Sequence, residues 1–238
     1  MLSQHETLLP LANAIGGRAT LIDMPGHGQS ADWDGITPYQ EQLTKIAASF
    51  CDSTTHVIGH SYGAAIALRL AAQYPDLVSR LTLVEPVLFA AAKGRPERGA
   101  YAKAFRPFVA AMLRGDEERA AEIFNSLWSR VEWSAIPEPM RDYLTKRIYL
   151  VVATGADLEE DPDGITSPET LAQLQVPVTL IRGSRTQPVI GAIHEALVDR
   201  LPNATDHVVE RAGHMLPIRN AFIPQVAEII RAAETGTG

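Results

Sequence analysis

Apolar residues at Leu8, Leu9, Leu11, Ala12 and Ile15 recur at helical spacing, and Gly16-Gly17 stops that run. Arg18-Ala19-Thr20-Leu21-Ile22-Asp23 then reads as a short buried strand, followed by the glycine-rich turn Met24 to Ser30. Thr37-Pro38 opens a second helix, carried by Leu43, Ile46, Ala47 and Phe50. The apolar run Thr55 to Ile58 predicts a strand, and Ala64 to Ala72 predicts the helix after it. Tyr74-Pro75 breaks the chain before Leu81-Thr82-Leu83-Val84, a continuous apolar run of the kind found in parallel sheets buried on both faces.

The rhythm then changes. From about Val87 to Ser167 only helical patterns appear, around Tyr101 to Leu113, Glu117 to Trp128 and Met140 to Val152, ending in an acidic loop from Asp157 to Gly164. Strand character returns at Val176 to Ile181, a helix follows from about Val189 to Leu201, and His207 to Glu210 predicts the last strand. A helix from Phe222 to Ala233 precedes a tail, Thr235 to Gly238, expected to be disordered. Alternating strand and helix imply an α/β architecture with a mainly parallel sheet and right-handed crossovers. Residues 1–86 and 168–238 are expected to form the core, and 87–167 a helical insertion lying over the sheet.

At 238 residues the chain can bury one substantial core, and its 46% apolar and 21% charged composition is that of an ordinary globular protein. The net charge of -7 disfavours nucleic acid and anionic membranes as partners and points to a small neutral or uncharged substrate. A single cysteine, Cys51, rules out an internal disulfide and a cysteine-built zinc site, and fits a reducing cytoplasm. Neither a basic leader nor an apolar span stands out near Met1, so a cytoplasmic location is expected.

Chemistry concentrates at Gly59-His60-Ser61-Tyr62-Gly63, which sits between a predicted strand and a predicted helix. That context turns a common five-residue pattern into a sharp bend presenting a serine nucleophile, with glycines where side chains would collide with strand or helix. Ser61 needs a base, and His214, after the last predicted strand, is the best placed of the seven histidines. The backbone N–H of Tyr62, at the helix start, is positioned to hold the oxyanion of a tetrahedral intermediate. Losing one such donor costs about 100- to 1000-fold in rate.

Three stretches taken together, Asp23-Met24-Pro25-Gly26-His27-Gly28-Gln29-Ser30, Gly59 to Gly63 and Gly213-His214, resemble the α/β-hydrolase fold superfamily, in its serine-nucleophile branch with a helical cap. The resemblance covers about Leu8 to Ala232 and implies an acyl-enzyme mechanism without cofactor or metal. Members usually begin with several strands and a histidine-glycine loop before the helix seen here at Leu8. The sequence starts at Met1, about where that loop should be, so those first strands are expected to be missing, and the backbone of Leu2 or Ser3 becomes the substitute oxyanion donor. The family's usual acid position reads Arg182-Gly183-Ser184-Arg185-Thr186-Gln187, with no carboxylate. Some branches place the acid at the end of the preceding strand instead, where Glu85 stands; the implied triad is Ser61, Glu85 and His214.

Other groups are given structural roles. His60 is expected to pack beside the bend, His27 to serve the turn, Cys51 to be buried near a helix end, and Glu195, Asp199 and Asp206 to face solvent. Phe105, Phe108, Met112, Phe124, Trp128 and Trp133 fall in the insertion, and most should pack its helices. No histidine pair has the spacing of a helical metal site. The expectation is a hydrolase of small to medium carboxylic esters, with carbon–carbon bond or thioester hydrolysis as alternatives, and a non-catalytic binder lacking the oxyanion loop as the alternative from another class. A serine rather than an aspartate nucleophile argues against dehalogenase and epoxide-hydrolase chemistry. A shortened sheet would expose an edge that a second subunit can cover, making a homo-oligomer a candidate.

Overall fold

The computed structural model describes residues 2 and 4–235. A 3-10 turn at His5–Leu8 leads into α1 (Leu9–Ile15), followed by α2 (Tyr39–Ala48), β1 (His56–His60), α3 (Tyr62–Gln73) and β2 (Arg80–Val84). Between β2 and the next strand the described chain is helical: α4 (Pro96–Leu113), α5 (Glu117–Trp128), α6 (Glu138–Arg147), α7 (Tyr149–Ala153), α8 (Gly155–Glu160) and α9 (Pro168–Ala172). Then come β3 (Val178–Gly183), α10 (Pro188–Arg200), β4 (Ala204–Val209) and α11 (Ile223–Thr235). Thr235 closes α11, and the rest of the expected tail lies outside the described residues.

The four strands form one parallel sheet in the order β1-β2-β3-β4. Alternation along each strand sends neighbouring side chains to opposite faces, which is how two helical layers are held by one sheet. Leu83 and Leu180 join the core that α2, α3 and α10 cover, whereas Val84 and Ile181 join a second core with Leu11 of α1 and Val226 and Ile230 of α11. Parallel strands whose crossovers all return the same way end their C-termini on one edge, and loops at that edge carry ligands in such folds.

Three expectations are corrected. Arg18 to Asp23 is not a strand: Arg18, Ala19 and Thr20 are exposed, and the segment pairs with no strand among the described residues. An apolar pattern makes a strand only when a neighbour accepts its backbone groups. The acidic stretch from Asp157 begins inside α8 rather than in a loop, and a left-handed residue, Asp161 (φ 49°), ends that helix. Phe50 lies beyond α2 and is 57% exposed, so it does not extend the buried face.

The turn from Asp23 to Ser30 is built around one carboxylate. Asp23 accepts from the His5 backbone N–H (2.6 Å), His5 Nδ1 (2.8 Å) and the Gln29 N–H (3.1 Å), and its own carbonyl accepts from Ser30 Oγ (2.7 Å). A Cβ at Gly28 would fall 2.1 Å from Asp23 Oδ2, so only glycine lets the chain wrap that side chain. His27 is fully buried, donating from Nδ1 to the Pro25 carbonyl (3.1 Å) and accepting the Leu2 N–H at Nε2 (3.1 Å). Burial, only partly opposed by the Pro25 hydrogen bond, pushes its pKa down to about 4.

Candidate active site

The bend after β1 is strained. Ser61 has φ 55° and ψ -121°, a region that side chains avoid, and such outliers persist where the surroundings over-determine them. What holds it is visible on both sides: the Ser61 N–H continues the sheet ladder to the Val84 carbonyl (2.9 Å), and its own carbonyl starts α3 by accepting from Ala64 (3.0 Å). A Cβ at Gly59 would sit 2.3 Å from the Gly63 carbonyl oxygen and 2.6 Å from Ala64 Cα, so strand and helix touch only because this residue is glycine. Gly63 is different from the expectation, since a Cβ there meets only Met24 Cε at 3.7 Å.

Glu85 leaves β2 one residue past its end, with its N–H on the Ile181 carbonyl (2.8 Å) and φ at 53°. Its side chain is fully buried, and a carboxylate there needs donors to offset the loss of water. It has three: the Gly183 N–H to Oε1 (2.7 Å), Thr186 Oγ1 to Oε2, and His214 Nδ1 to Oε2 (3.0 Å). Gly183 serves a second purpose. A Cβ on it would lie 2.3 Å from the Ala212 carbonyl oxygen, so the absence of a side chain lets the loop after β4 pass close by and deliver His214.

The structure brings Ser61, His214 and Glu85 together. With Nδ1–H directed at a carboxylate, the neutral His214 ring leaves Nε2 free to accept, and Nε2 lies 3.0 Å from Ser61 Oγ. His214 is 7% exposed, and the Trp128 ring sits 4.4 Å from its ring centre. His60 goes beyond packing: its ring lies 5.1 Å from that of His214, and its Nε2 is 2.9 Å from the His214 carbonyl oxygen. A carbonyl only accepts, so Nε2 of His60 carries the hydrogen. Burial, reinforced by the neighbouring His214, holds His60 well below the usual histidine range and keeps that donor neutral.

Tyr62 is the first residue of α3, where N–H groups have no partner one turn back. Its ring is buried against Tyr39, ring centres 6.0 Å apart, so what it can offer the reacting serine is its backbone. The Leu2 N–H is already donated to His27, which removes it as a substitute oxyanion donor; Ser3 lies outside the described residues. A cavity of about 110 Å3 opens beside Ser61 and His214, with an apolar wall that includes Leu8, Phe124, Trp128, Leu144 and Met215. Phe124 and Trp128 alone of the six expected aromatic and methionine side chains reach it. Phe108 instead nucleates a separate cluster with Ala111, Ala120 and Ile148, against which Phe105, Met112 and Trp133 pack.

Sequence reasoning missed Gly183, Thr186, His60 as a hydrogen-bond partner, and Trp128 as the ring against His214. Thr186 left one signal: it lies in the stretch where a carboxylate was sought, and a hydroxyl there suits an acid arriving from elsewhere. Asp206 is not simply solvated, since it accepts from the buried His194 Nδ1 (2.7 Å). Cys51 is half-buried, with its thiol on the Ala47 carbonyl. Among the described residues no group of three or more His, Cys, Asp or Glu side chains could hold a metal ion, and no helix is long and apolar enough to cross a membrane.

Known proteins resemble this chain in sequence and fold. The chain is similar to the dihydrolipoyllysine-residue acetyltransferase component of an acetoin cleaving system from Cupriavidus necator, 29% identical over 223 residues covering 89% of this chain and 55% of the relative. It is also similar to an esterase of Mycobacterium tuberculosis, 27% identical over 223 residues covering 84% of this chain and 69% of that protein. The chain thus spans little more than half the length of the first of these. A solved structure of an M. tuberculosis esterase matches the fold with a TM-score of 0.64 at 23% identity, covering 98% of this chain and 82% of that one. A family model for the alpha/beta hydrolase fold matches residues 1–221, a span that takes in the strained serine bend, the buried glutamate and the histidine loop alike; the chain belongs to the alpha/beta hydrolase fold family.

Proposed function

We infer that the chain hydrolyses carboxylic esters of small to medium size through an acyl-enzyme on Ser61. The observation that carries this reading is the unbroken hydrogen-bonded line from Ser61 Oγ through His214 to the buried Glu85, assembled at the C-terminal ends of adjacent parallel strands. In the first half-reaction Ser61 Oγ bonds to the substrate carbonyl carbon as its proton passes to His214 Nε2. Glu85 stabilises the resulting imidazolium and fixes the ring that made the attack possible. The tetrahedral oxyanion is met by the Tyr62 N–H at the positive end of α3. Collapse breaks the carbonyl–alkoxide bond, and the leaving oxygen takes the proton from His214. A water molecule, deprotonated by the same nitrogen, then releases the acid and restores Ser61.

His60 and Thr186 are positioning residues in this scheme, the first holding the backbone of the base and the second the carboxylate. The esterase among the relatives supports the reaction class, and the apolar wall of the reactive cavity suits an acyl chain. Treating the protein with a fluorophosphonate should add one phosphonyl group to Ser61, read by peptide mass spectrometry, and Ser61→Ala should abolish both labelling and turnover of p-nitrophenyl butyrate. An unlabelled Ser61 in folded protein would favour the non-catalytic binder.

A further inference from the structure

A second, larger space adjoins the reactive cavity. A groove of about 1010 Å3 shares Trp128, Ser129, His214, Met215 and Ile218 with the cavity beside Ser61. The two differ in scale and chemistry. The inner cavity is about a tenth of the groove's volume and suits a small group, whereas the groove is as large as whole ligand sites. The inner wall is mostly apolar and uncharged apart from its histidines; the groove is lined by four arginines, Arg130, Arg185, Arg211 and Arg219, and by no aspartate or glutamate.

These guanidinium groups come from three places in the chain: the residues after α5, the β3–α10 loop and the loop after β4. Among the described residues, carboxylates within ion-pair reach are held by Arg69, Arg95, Arg98, Arg119 and Arg182, and by none of the four in the groove. Arg130 is anchored facing the site. Its Nη2 donates to the Arg185 carbonyl (3.3 Å), and a Cβ on Gly213 would lie 3.5 Å from its Nε, which puts one cation beside the residue preceding the proposed base. Four cations lining one groove with no acidic residue among its lining give it a positive field that favours an anionic ligand. The net charge of -7 conceals this, because it sums over the whole surface.

We propose that the groove binds the leaving group of the substrate, and that this group carries a carboxylate or a phosphate. The chemistry rests on the hydrolase reading above: a short acyl group sits in the inner cavity, the scissile bond at Ser61, and the alcohol or thiol portion runs out past His214 among the arginines. Guanidinium forks match both carboxylate and phosphate oxygens, so the two sources share one recognition chemistry.

Two matched pairs test it: 4-acetoxybenzoate against its methyl ester, and S-acetyl-4'-phosphopantetheine against S-acetylpantetheine. The readout is the anionic-to-neutral ratio of kcat/KM in wild type and in Arg130→Gln/Arg185→Gln, with Arg219→Gln as a second, independent variant. In low salt the ratio should be about tenfold higher in wild type than in the double variant for at least one pair, and that pair identifies the anion. The wild-type ratio should also shrink in about 0.5 M salt, where screening shortens the reach of exposed charges. Ratios equal across all three proteins in both pairs, with the neutral members turned over, overturn the proposal and leave the hydrolase reading intact. Should no member be hydrolysed, calorimetry on Ser61→Ala with 4'-phosphopantetheine and pantetheine, and with 4-hydroxybenzoate and its methyl ester, decides it separately. Binding about tenfold tighter for an anionic member, lost on replacing the arginines, supports the groove without the chemistry, and equal binding in both pairs refutes it.

Discussion

Replacing Glu85 by glutamine exchanges one oxygen for nitrogen and turns an acceptor into a donor. The amide oxygen must stay with the Gly183 N–H, which is fixed in the backbone at 2.7 Å, so the amide NH2 is forced toward His214 Nδ1 and Thr186. The threonine hydroxyl can rotate to accept, but the imidazole can accept only by moving its hydrogen to Nε2. That places a hydrogen on the nitrogen 3.0 Å from Ser61 Oγ, where a lone pair is required. The same change of tautomer in a serine-histidine-aspartate enzyme lowers kcat by about 10,000-fold, equivalent to about 5 kcal/mol of barrier. Glu85 does not line the reactive cavity, so KM for p-nitrophenyl butyrate should change little while kcat collapses. Circular dichroism would verify the fold, and the 15N shifts of His214 would report the tautomer. A folded Glu85→Gln protein retaining more than about a tenth of wild-type kcat would refute the reasoning.

Other consequences can be read from backbone and burial. Ser61→Gly should abolish turnover yet raise unfolding stability by about 1 kcal/mol, since relief of about 1–3 kcal/mol of strain exceeds the entropy cost of a glycine; a lower denaturation midpoint would contradict this. Gly59→Ala should destabilise by about 3 kcal/mol or more because strand and helix must separate, whereas Gly63→Ala should leave urea stability unchanged or slightly raised. His27 has its folded pKa lowered from 6.5 to about 4, so its stabilising contribution is complete above pH 6.5 and is lost as pH falls through 4. That difference is worth about 3 kcal/mol, and a plot of unfolding free energy against pH should be shallower over this window in His27→Gln.

What the sequence disclosed was governed by local geometry. Gly59 and Gly28 are legible because a side chain at either position would strike an atom within a few residues, Gly63 in one case and Asp23 in the other. A motif written by such collisions stays readable without the fold. Ser61 could be placed from its strand and helix, and His214 from the strand before it. Glu85 was reached only through its distance from Ser61 and the resemblance, because a glutamate at a strand end looks like any solvated acid. The error at Arg18 to Asp23 has the same origin from the opposite side: its apolar residues satisfy a strand pattern, but strand formation depends on a partner that composition does not encode.

The parts that stayed hidden are those assembled across the fold. Thr186 and Glu85 are 101 positions apart, and His60 meets His214 across 154, so neither contact leaves a periodicity or a spacing to read. The arginine groove is the strongest case. Arg130, Arg185, Arg211 and Arg219 are spread along the chain, and each alone is an ordinary exposed cation. Gly183 lets the loop after β4, which carries Arg211 and Arg219, pass against β3 beside Arg185, the close approach that also delivers His214. If that approach sets both the base and the charge, widening it should disturb them together. Gly183→Ala puts a Cβ 2.3 Å from the Ala212 carbonyl oxygen. It should lower kcat on neutral esters and, in the same protein, reduce the preference for anionic leaving groups. A variant with lowered but measurable turnover that kept the full anionic preference would separate the groove from the loop and break this account.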